Sequence, residues 1–312
     1  MVWSFLTFLI RKLDPEIAHQ LTLKALTLGV HPRLKVLKIP TKINNLKFNN
    51  ILGVAAGFDK NAQVIDKIHF LNFGFTEVGT ITPKQQYGNP KPRVFRLEMD
   101  KAIINRNGFN NLGMEEAKKK LERYRKINPV GSDFVLGINV GPNKNSLDRI
   151  NDYQVLSENL CKFADYITIN ISSPNTPNLR DFHKSELLEK VIKAVKKGIF
   201  NSKLPNSNIP IFLKIAPDIS FKILEAIINK AVQLKVTGLI ISNTTIDRNK
   251  NLQSENATEI GGLSGTPLFN KSTSILSMSN KIIKENRHKL CLIAAGGVSD
   301  AKTAYVKILC GA

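Results

Sequence analysis

From residue 51 onward, short apolar runs alternate with longer stretches of helical period, and most runs finish in Gly, Asn, Ser or Thr. The runs are Ile51–Ala55, Phe75–Gly79, Phe134–Val140, Tyr166–Ile171, Ile211–Ile215, Gly238–Ile241 and Leu292–Ala295. Helical spacing follows them near 60–71, 113–126, 151–163, 185–199, 220–234, 270–286 and 300–309. A strand covered on both faces reads as a continuous apolar run, and its parallel neighbour needs a crossover of roughly a dozen residues or more. Seven such units specify an α/β fold with a parallel sheet. A doubly wound sheet uses the same units. Polar residues at nearly every strand end favour a (β/α)8 TIM-type barrel, because closure turns all those ends to one mouth. The chain stops at Gly311-Ala312, where an eighth strand would begin. The expectation is a barrel lacking its eighth strand, with an open seam and two unpaired edges.

Residues 1–40 stand apart as a small helical extension, leaving 41–312 to the barrel. MVWSFLTFLI is apolar and is followed at once by Arg11 and Lys12. Such a run is too short to cross a bilayer, which takes roughly 20 residues of helix. It also lacks the small-residue cleavage site of a secretory signal. Asp14-Pro15-Glu16 reads as an N-cap followed by proline at the first helical position. The helix it opens carries Ile17, Leu21, Leu23, Leu26 and Leu28. Two short apolar helices joined by basic residues suit a membrane interface, and they suit a helical cap packed on the barrel equally well.

Composition narrows the function classes. Lys and Arg total 45 against 25 acidic residues, a net charge of +20. The cations are scattered without a basic stripe interleaved with aromatics, which argues against nucleic acid. A basic surface favours anionic lipid or an anionic ligand. Cys161, Cys291 and Cys310 show neither metal-ligand spacing nor a disulfide framework, pointing to a reducing compartment. No Ser/His/Asp set and no clustered carboxylate pair stands out, so hydrolysis and metal chemistry find little support.

The strand ends carry something else. Asparagine recurs there, at 105, 107, 139, 170, 175 and 243, and an amide offers donor and acceptor together to the edge of a planar heterocycle. Lys60 and Lys214 supply positive charge beside such a ring, and the glycine-rich turns at 261–265 and 296–297 would let backbone N–H groups approach a phosphate. The strand Asp165–Ile171 breaks into Ser172-Ser173-Pro174-Asn175-Thr176-Pro177, too rich in turn formers to continue.

The string NISSPNTP, with AAGFDK, NRNGFN, KIAPD, SNTTIDR and GGLSGTPL in this order along the chain, resembles the quinone-linked class of dihydroorotate dehydrogenases. The likeness runs from LDPEIAH to the GGV at 296–298. It implies an FMN-dependent barrel that oxidises dihydroorotate to orotate in pyrimidine synthesis. The loop serine, Ser173, would be the base that takes a proton from C5 of dihydroorotate while C6 gives a hydride to flavin. A serine hydroxyl is a poor base near neutrality, and the family implies Thr176, a water and Phe109 as relay and gate. By matching position, Lys60, Asn105, Arg106, Asn107, Gly108, Phe109, Asn170, Asn175, Asn243 and Thr244 would bind substrate. Ala56, Gly57, Lys60, Thr80, Asn139, Asn170, Lys214, Ser242, Gly265 and Gly297 would hold FMN. Asn107 departs from the family, where many relatives carry an apolar or aromatic residue. His19 and Arg96 would face ubiquinone or menaquinone in a tunnel formed by the N-terminal helices. The resemblance further implies a monomer, peripheral on the cytoplasmic face of the inner membrane, with no metal.

Overall fold

The computed structural model describes residues 2–32, 38–43, 45–204 and 208–312, with side chains from Leu6 onward. Two helices lead, α1 (Val2–Arg11) and α2 (Pro15–Thr27), then a hairpin of β1 (Thr41–Ile43) and β2 (Leu46–Phe48). The alternating part begins with β3 (Gly53–Val54), α3 (Ile65–Phe70) and β4 (Phe75–Ile81). After β5 (Val94–Leu97) and β6 (Ala102–Asn105) come α4 (Met114–Ile127), β7 (Val135–Val140), α5 (Arg149–Leu160) and β8 (Tyr166–Asn170). Next are α6 (Ser185–Asn201), β9 (Ile211–Ile215), α7 (Phe221–Gln233), β10 (Gly238–Ile241) and β11 (Gly262–Gly265). The chain closes with α8 (Phe269–Glu285), β12 (Cys291–Ala294) and α9 (Ala301–Leu309).

Seven strands form one curled parallel sheet in the order β3-β4-β7-β8-β9-β10-β12. Each strand lies beside its predecessor of that set. A doubly wound sheet must reverse this order at a switch point, so the barrel reading holds. The ends of the sheet are β3 and β12. All seven expected strands and all seven expected helices are present. The largest boundary shift is at α3, which starts at Ile65 instead of near 60. There the Asp59 carboxylate accepts from the backbone N–H groups of Asn61, Gln63 and Val64, holding a turn that competes with helix.

Burial explains why the strands read as unbroken apolar runs. Ile138, Ile167, Ile169, Leu213, Ile215, Leu239 and Ile241 are all solvent-inaccessible. The helices cover the outer face; α6 turns Leu188, Val191, Ile192, Val195 and Ile199 inward at helical spacing. Asp148 caps α5, Ser220 caps α7, and Asp300 forms a reciprocal capping box with Thr303 on α9.

Two features escape the alternation. The β1–β2 hairpin packs Leu46 and Phe48 against Val135, Tyr166, Phe212 and Ile240, closing the amino end of the barrel. At the carboxyl end, β5 pairs with β6 and β6 with β11, all antiparallel, in a small sheet over the mouth. The N-terminal extension divides its apolar residues. Ala18, Leu23 and Leu26 are buried, whereas Leu6, Phe8, Leu9, Leu13, Ile17, Leu21 and Leu28 face outward. No described helix is long and apolar enough to cross a membrane.

Candidate active site

The strand ends, the small sheet and the N-terminal helices enclose a cavity of about 860 Å³. That volume lies within the range of roughly 300–1,000 Å³ usual for small-molecule sites. Ser173, Lys214 and Asn243, separated by up to two strands, all line it, as do Lys60, Asn105 and Asn175.

Its floor is a buried polar network. Thr80 Oγ1 donates to Asn139 Oδ1 at 2.7 Å, and Asn170 Nδ2 donates to Thr80 Oγ1 at 2.8 Å. Asn139 Nδ2 donates to Glu77 Oε1 at 2.7 Å, and Thr168 donates to the other Glu77 oxygen at 2.8 Å. Lys214 Nζ stands 3.9 Å from Glu77, close enough to balance its charge. Asn243 Nδ2 donates to Ser172 Oγ at 2.9 Å, while Ser172 Oγ donates to Asn170 Oδ1 at 3.1 Å. These side chains come from β4, β7, β8, β9 and the turns after β8 and β10. Each is oriented by its neighbour, which is how a network in a low dielectric fixes rotamers.

Above the floor, Ser173 is buried, and its Oγ accepts from the Asn175 N–H at 3.2 Å. Asn175 Nδ2 donates to Asn105 O at 3.0 Å, pinning the serine loop to the end of β6. Lys60 leaves the turn after β3. Among the described residues its ammonium makes no hydrogen bond or ion pair, and burial pushes its pKa down to about 8 against the opposing pull of Glu16. On the N-terminal side, His19 Nε2–H donates to Phe58 O at 2.8 Å. Burial first, and the Lys60 charge second, lower the His19 pKa, so the ring is neutral near pH 7. Arg96 donates to the carbonyls of Arg11 and Leu13 at 2.9 and 2.6 Å, tying the end of α1 to the small sheet.

A family model for dihydroorotate dehydrogenase matches residues 38–312. The chain belongs to the dihydroorotate dehydrogenase family. It is 46% identical over 304 residues to the dihydroorotate dehydrogenase (quinone) of Bartonella tribocorum, covering 96% of this chain and 82% of that protein. The enzyme of the same name from Rhizobium etli is 44% identical over 304 residues, covering 96% and 81%. The crystal structure of DHODH from Eimeria tenella in complex with ferulenol superimposes with a TM-score of 0.89 at 37% identity, covering 96% of this chain and 84% of that one.

Most of the residues expected from the dihydroorotate dehydrogenase resemblance meet in this cavity. Ala56, Gly57, Lys60, Thr80, Asn170, Lys214 and Ser242 line it, with Asn107, Gly108, Phe109 and Thr244. His19 and Arg96 line its N-terminal end. Five expected residues do not line it. Asn139 lies behind Thr80 in the floor network. Thr176 is buried, and its hydroxyl has no hydrogen-bond partner among the described residues. Gly265 and Gly297 turn at φ +96° and +76° beside the cavity, while their neighbours Ser264 and Gly296 line it. Arg106 stands furthest from the expected position. Its guanidinium pairs with Glu259 at 2.5 Å and stacks on Phe95 4.4 Å from the ring centroid, so its side chain is spent on the small sheet.

The sequence reading missed Glu77, whose signal was a lone carboxylate inside the otherwise apolar strand FTEVGTI. It also missed Glu16 and Arg93, a bidentate pair at 3.0 and 2.5 Å that fastens α2 beside the cavity. Their 77-residue separation leaves no local pattern to read. Among the described residues no group of three His, Cys, Asp or Glu could hold a metal ion.

Proposed function

We propose that this cavity takes FMN and dihydroorotate, and that its N-terminal end admits a quinone. The chain is a dihydroorotate dehydrogenase: it oxidises dihydroorotate to orotate in de novo pyrimidine synthesis and passes the electrons to a quinone. The observation that carries the reading is one enclosure shared by Ser173, Lys60, Lys214, Asn243 and the N-terminal residues Ile10, His19 and Leu23.

The residues present fit a flavin. Gly57 lines the cavity at φ +105° with open space where a Cβ would stand, so bare backbone is available to a flat ring. The donors and acceptors of Thr80, Asn170 and Lys214 suit a heterocycle edge carrying both C=O and N–H. When bound, FMN supplies the hydride acceptor for C6 of dihydroorotate. Lys214 provides a fixed cation where a reduced ring gathers negative charge. Gly265 and Gly297 belong to the turns that would approach its phosphate.

The substrate is an anion with two amide-like edges. Lys60 offers a cation without a partner to its carboxylate. Asn105, Asn175 and Asn243 offer amides to the ring, and Asn107 and Gly108 line the same cavity. Ser173 Oγ takes the proton from C5 as it gives up its own hydroxyl proton. The Thr176 hydroxyl, buried three residues further on, is the group available to pass that proton onward. Phe109 gates the same pocket.

Residues 1–40 form the membrane-associating unit and 41–312 the barrel that binds FMN. The outward apolar side chains of α1 and α2 support peripheral attachment to a membrane, at the cytoplasmic face of the inner membrane, where ubiquinone or menaquinone would enter past His19 and Arg96. The form we propose is a monomer.

A visible spectrum tests the cofactor and substrate together. The purified protein should be yellow after incubation with FMN and should bleach anaerobically on adding dihydroorotate. Deleting residues 1–30 should abolish electron transfer to a quinone analogue while sparing the bleaching. Protein that stays colourless with FMN, or yellow protein that dihydroorotate does not bleach, overturns the reading.

A further inference from the structure

One guanidinium outside the cavity touches two of the loops that form it and a third loop beside them. Arg180 sits on the tight turn Leu179–His183, and its Nε donates to Ser172 O at 3.2 Å. Its Nη2 donates to Thr244 O at 3.1 Å, and its Nη1 to Asp218 Oδ2 at 2.9 Å. The acceptors belong to the loops after β8, β10 and β9. Asp218 is held in turn: Ile246 N–H donates to Oδ2 at 3.0 Å, and Lys271 and Thr245 both reach Oδ1. Burial works against this carboxylate, but those donors outweigh it and keep the group ionised.

Where the chain leaves β8, the Ser172 carbonyl has left the sheet ladder and is buried with its residue, so it needs a donor from elsewhere. A planar fork of five N–H groups satisfies that carbonyl, a second carbonyl and a carboxylate in one fixed geometry; an ammonium on a flexible stem does not. The Ser172 carbonyl is one peptide bond from Ser173, and the Thr244 carbonyl belongs to the arm that carries Asn243.

We propose that Arg180 is a positioning residue for proton removal: it fixes the Ser173 hydroxyl against the Asn243–Thr244 arm that holds the pyrimidine. The proposal rests on the role given to Ser173 above. Its effect acts through geometry, since Asn243–Ser172 and Asn175–Asn105 hydrogen bonds would still hold the loops near their places without it. A misplacement of about 1 Å at a reacting centre can cost on the order of 10²-fold in rate.

The test uses FMN-containing Arg180→Ala, Arg180→Lys and Asp218→Asn, with Ser173→Ala as the control. Flavin per chain, orotate affinity by calorimetry, the anaerobic rate of flavin reduction, and the isotope effect with 5-deuterated dihydroorotate are measured. For both Arg180 variants we expect flavin content to be kept, and for Arg180→Ala the reduction rate per bound flavin should fall about 10²-fold. Orotate affinity should change far less, and the C5 isotope effect should rise because proton removal has become the slow step. Arg180→Lys should recover part of the rate, and Asp218→Asn should lose less than Arg180→Ala. A native rate per bound flavin overturns the proposal, as does a rate loss matched by equal loss of orotate affinity or an unchanged isotope effect. Should Arg180→Ala not fold, the lysine and Asp218→Asn variants carry the same decision. Ser173→Ala should itself slow reduction by about 10²–10⁴-fold. An unchanged rate there would remove the role of Ser173, a failure separate from any result at Arg180.

Discussion

Lys60 shows how one side chain's surroundings set a measurable pH limit. Burial disfavours its ammonium, and Glu16, the opposing charge that acts on it most, is already occupied by Arg93, so its pKa is pushed down to about 8 from 10.5. In the role proposed for it, pairing with a substrate carboxylate, the charged form is needed. We therefore expect kcat/KM for dihydroorotate to fall about tenfold per pH unit above pH 8, since kcat/KM reports groups of the free enzyme. The pH profile checks this, and Lys60→Arg, whose guanidinium keeps its charge across this range, should abolish that limb. The stability consequence has the opposite slope. Between pH 8 and 10.5 the unfolded chain binds more protons at this site than the folded one, so raising the pH across that window favours the folded state. Its place in the chain, on the turn after β3 and inside AAGFDK, was legible from the sequence; its want of a partner was not, because Glu16 and Arg93 arrive from elsewhere in the chain.

At the scale of elements, α2 does two things at once. Leu23 and Leu26 join the barrel's core, and Glu16 reaches across to Arg93, with Lys91 at 3.6 Å adding a weaker attraction. The Arg93 hydrogen bond is the main cause holding the Glu16 carboxyl below its ordinary range. That contribution is present above the unfolded pKa near 4.5 and is lost as the pH falls through the depressed value. Removing one partner of a buried pair costs about 3 kcal/mol or more, since the other charge is left uncompensated. Glu16→Ala should therefore lower stability in urea titrations by about that amount at pH 7, with a smaller loss at pH 3. The N-cap of α2 was readable as Asp14-Pro15-Glu16, and Asp14 does accept from the N–H groups of Glu16 and Ile17. Which apolar side chains face the barrel was not. Helical spacing alone marks Ile17 and Leu21 as readily as Leu23 and Leu26, and the partner surface decides.

Taken as a whole, the molecule joins a net charge of +20 to a row of outward apolar residues on α1 and α2. Both terms favour an anionic bilayer, and the electrostatic one is screened over roughly 10 Å at 0.1 M salt. Sedimentation with anionic vesicles should show binding that weakens but persists as salt rises, whereas neutral vesicles should bind weakly at any salt. The alternation of runs revealed the sheet, because parallel strands covered on both faces leave an uninterrupted apolar signature. The small sheet left no such trace: Val94–Leu97 alternates buried with half-buried residues, Ala102–Asn105 is four residues long, and Gly262–Gly265 reads as a turn. Its partners can be recognised only in three dimensions, where Asn105 meets Gly262 and Ala102 meets Gly265. That pairing also dictates an order of assembly. Because the last strand of the roof is encoded some 160 residues after its partner, a nascent chain emerging from the ribosome can build most of its staves before it can cover them. Until Leu263 is made, the vessel stands open.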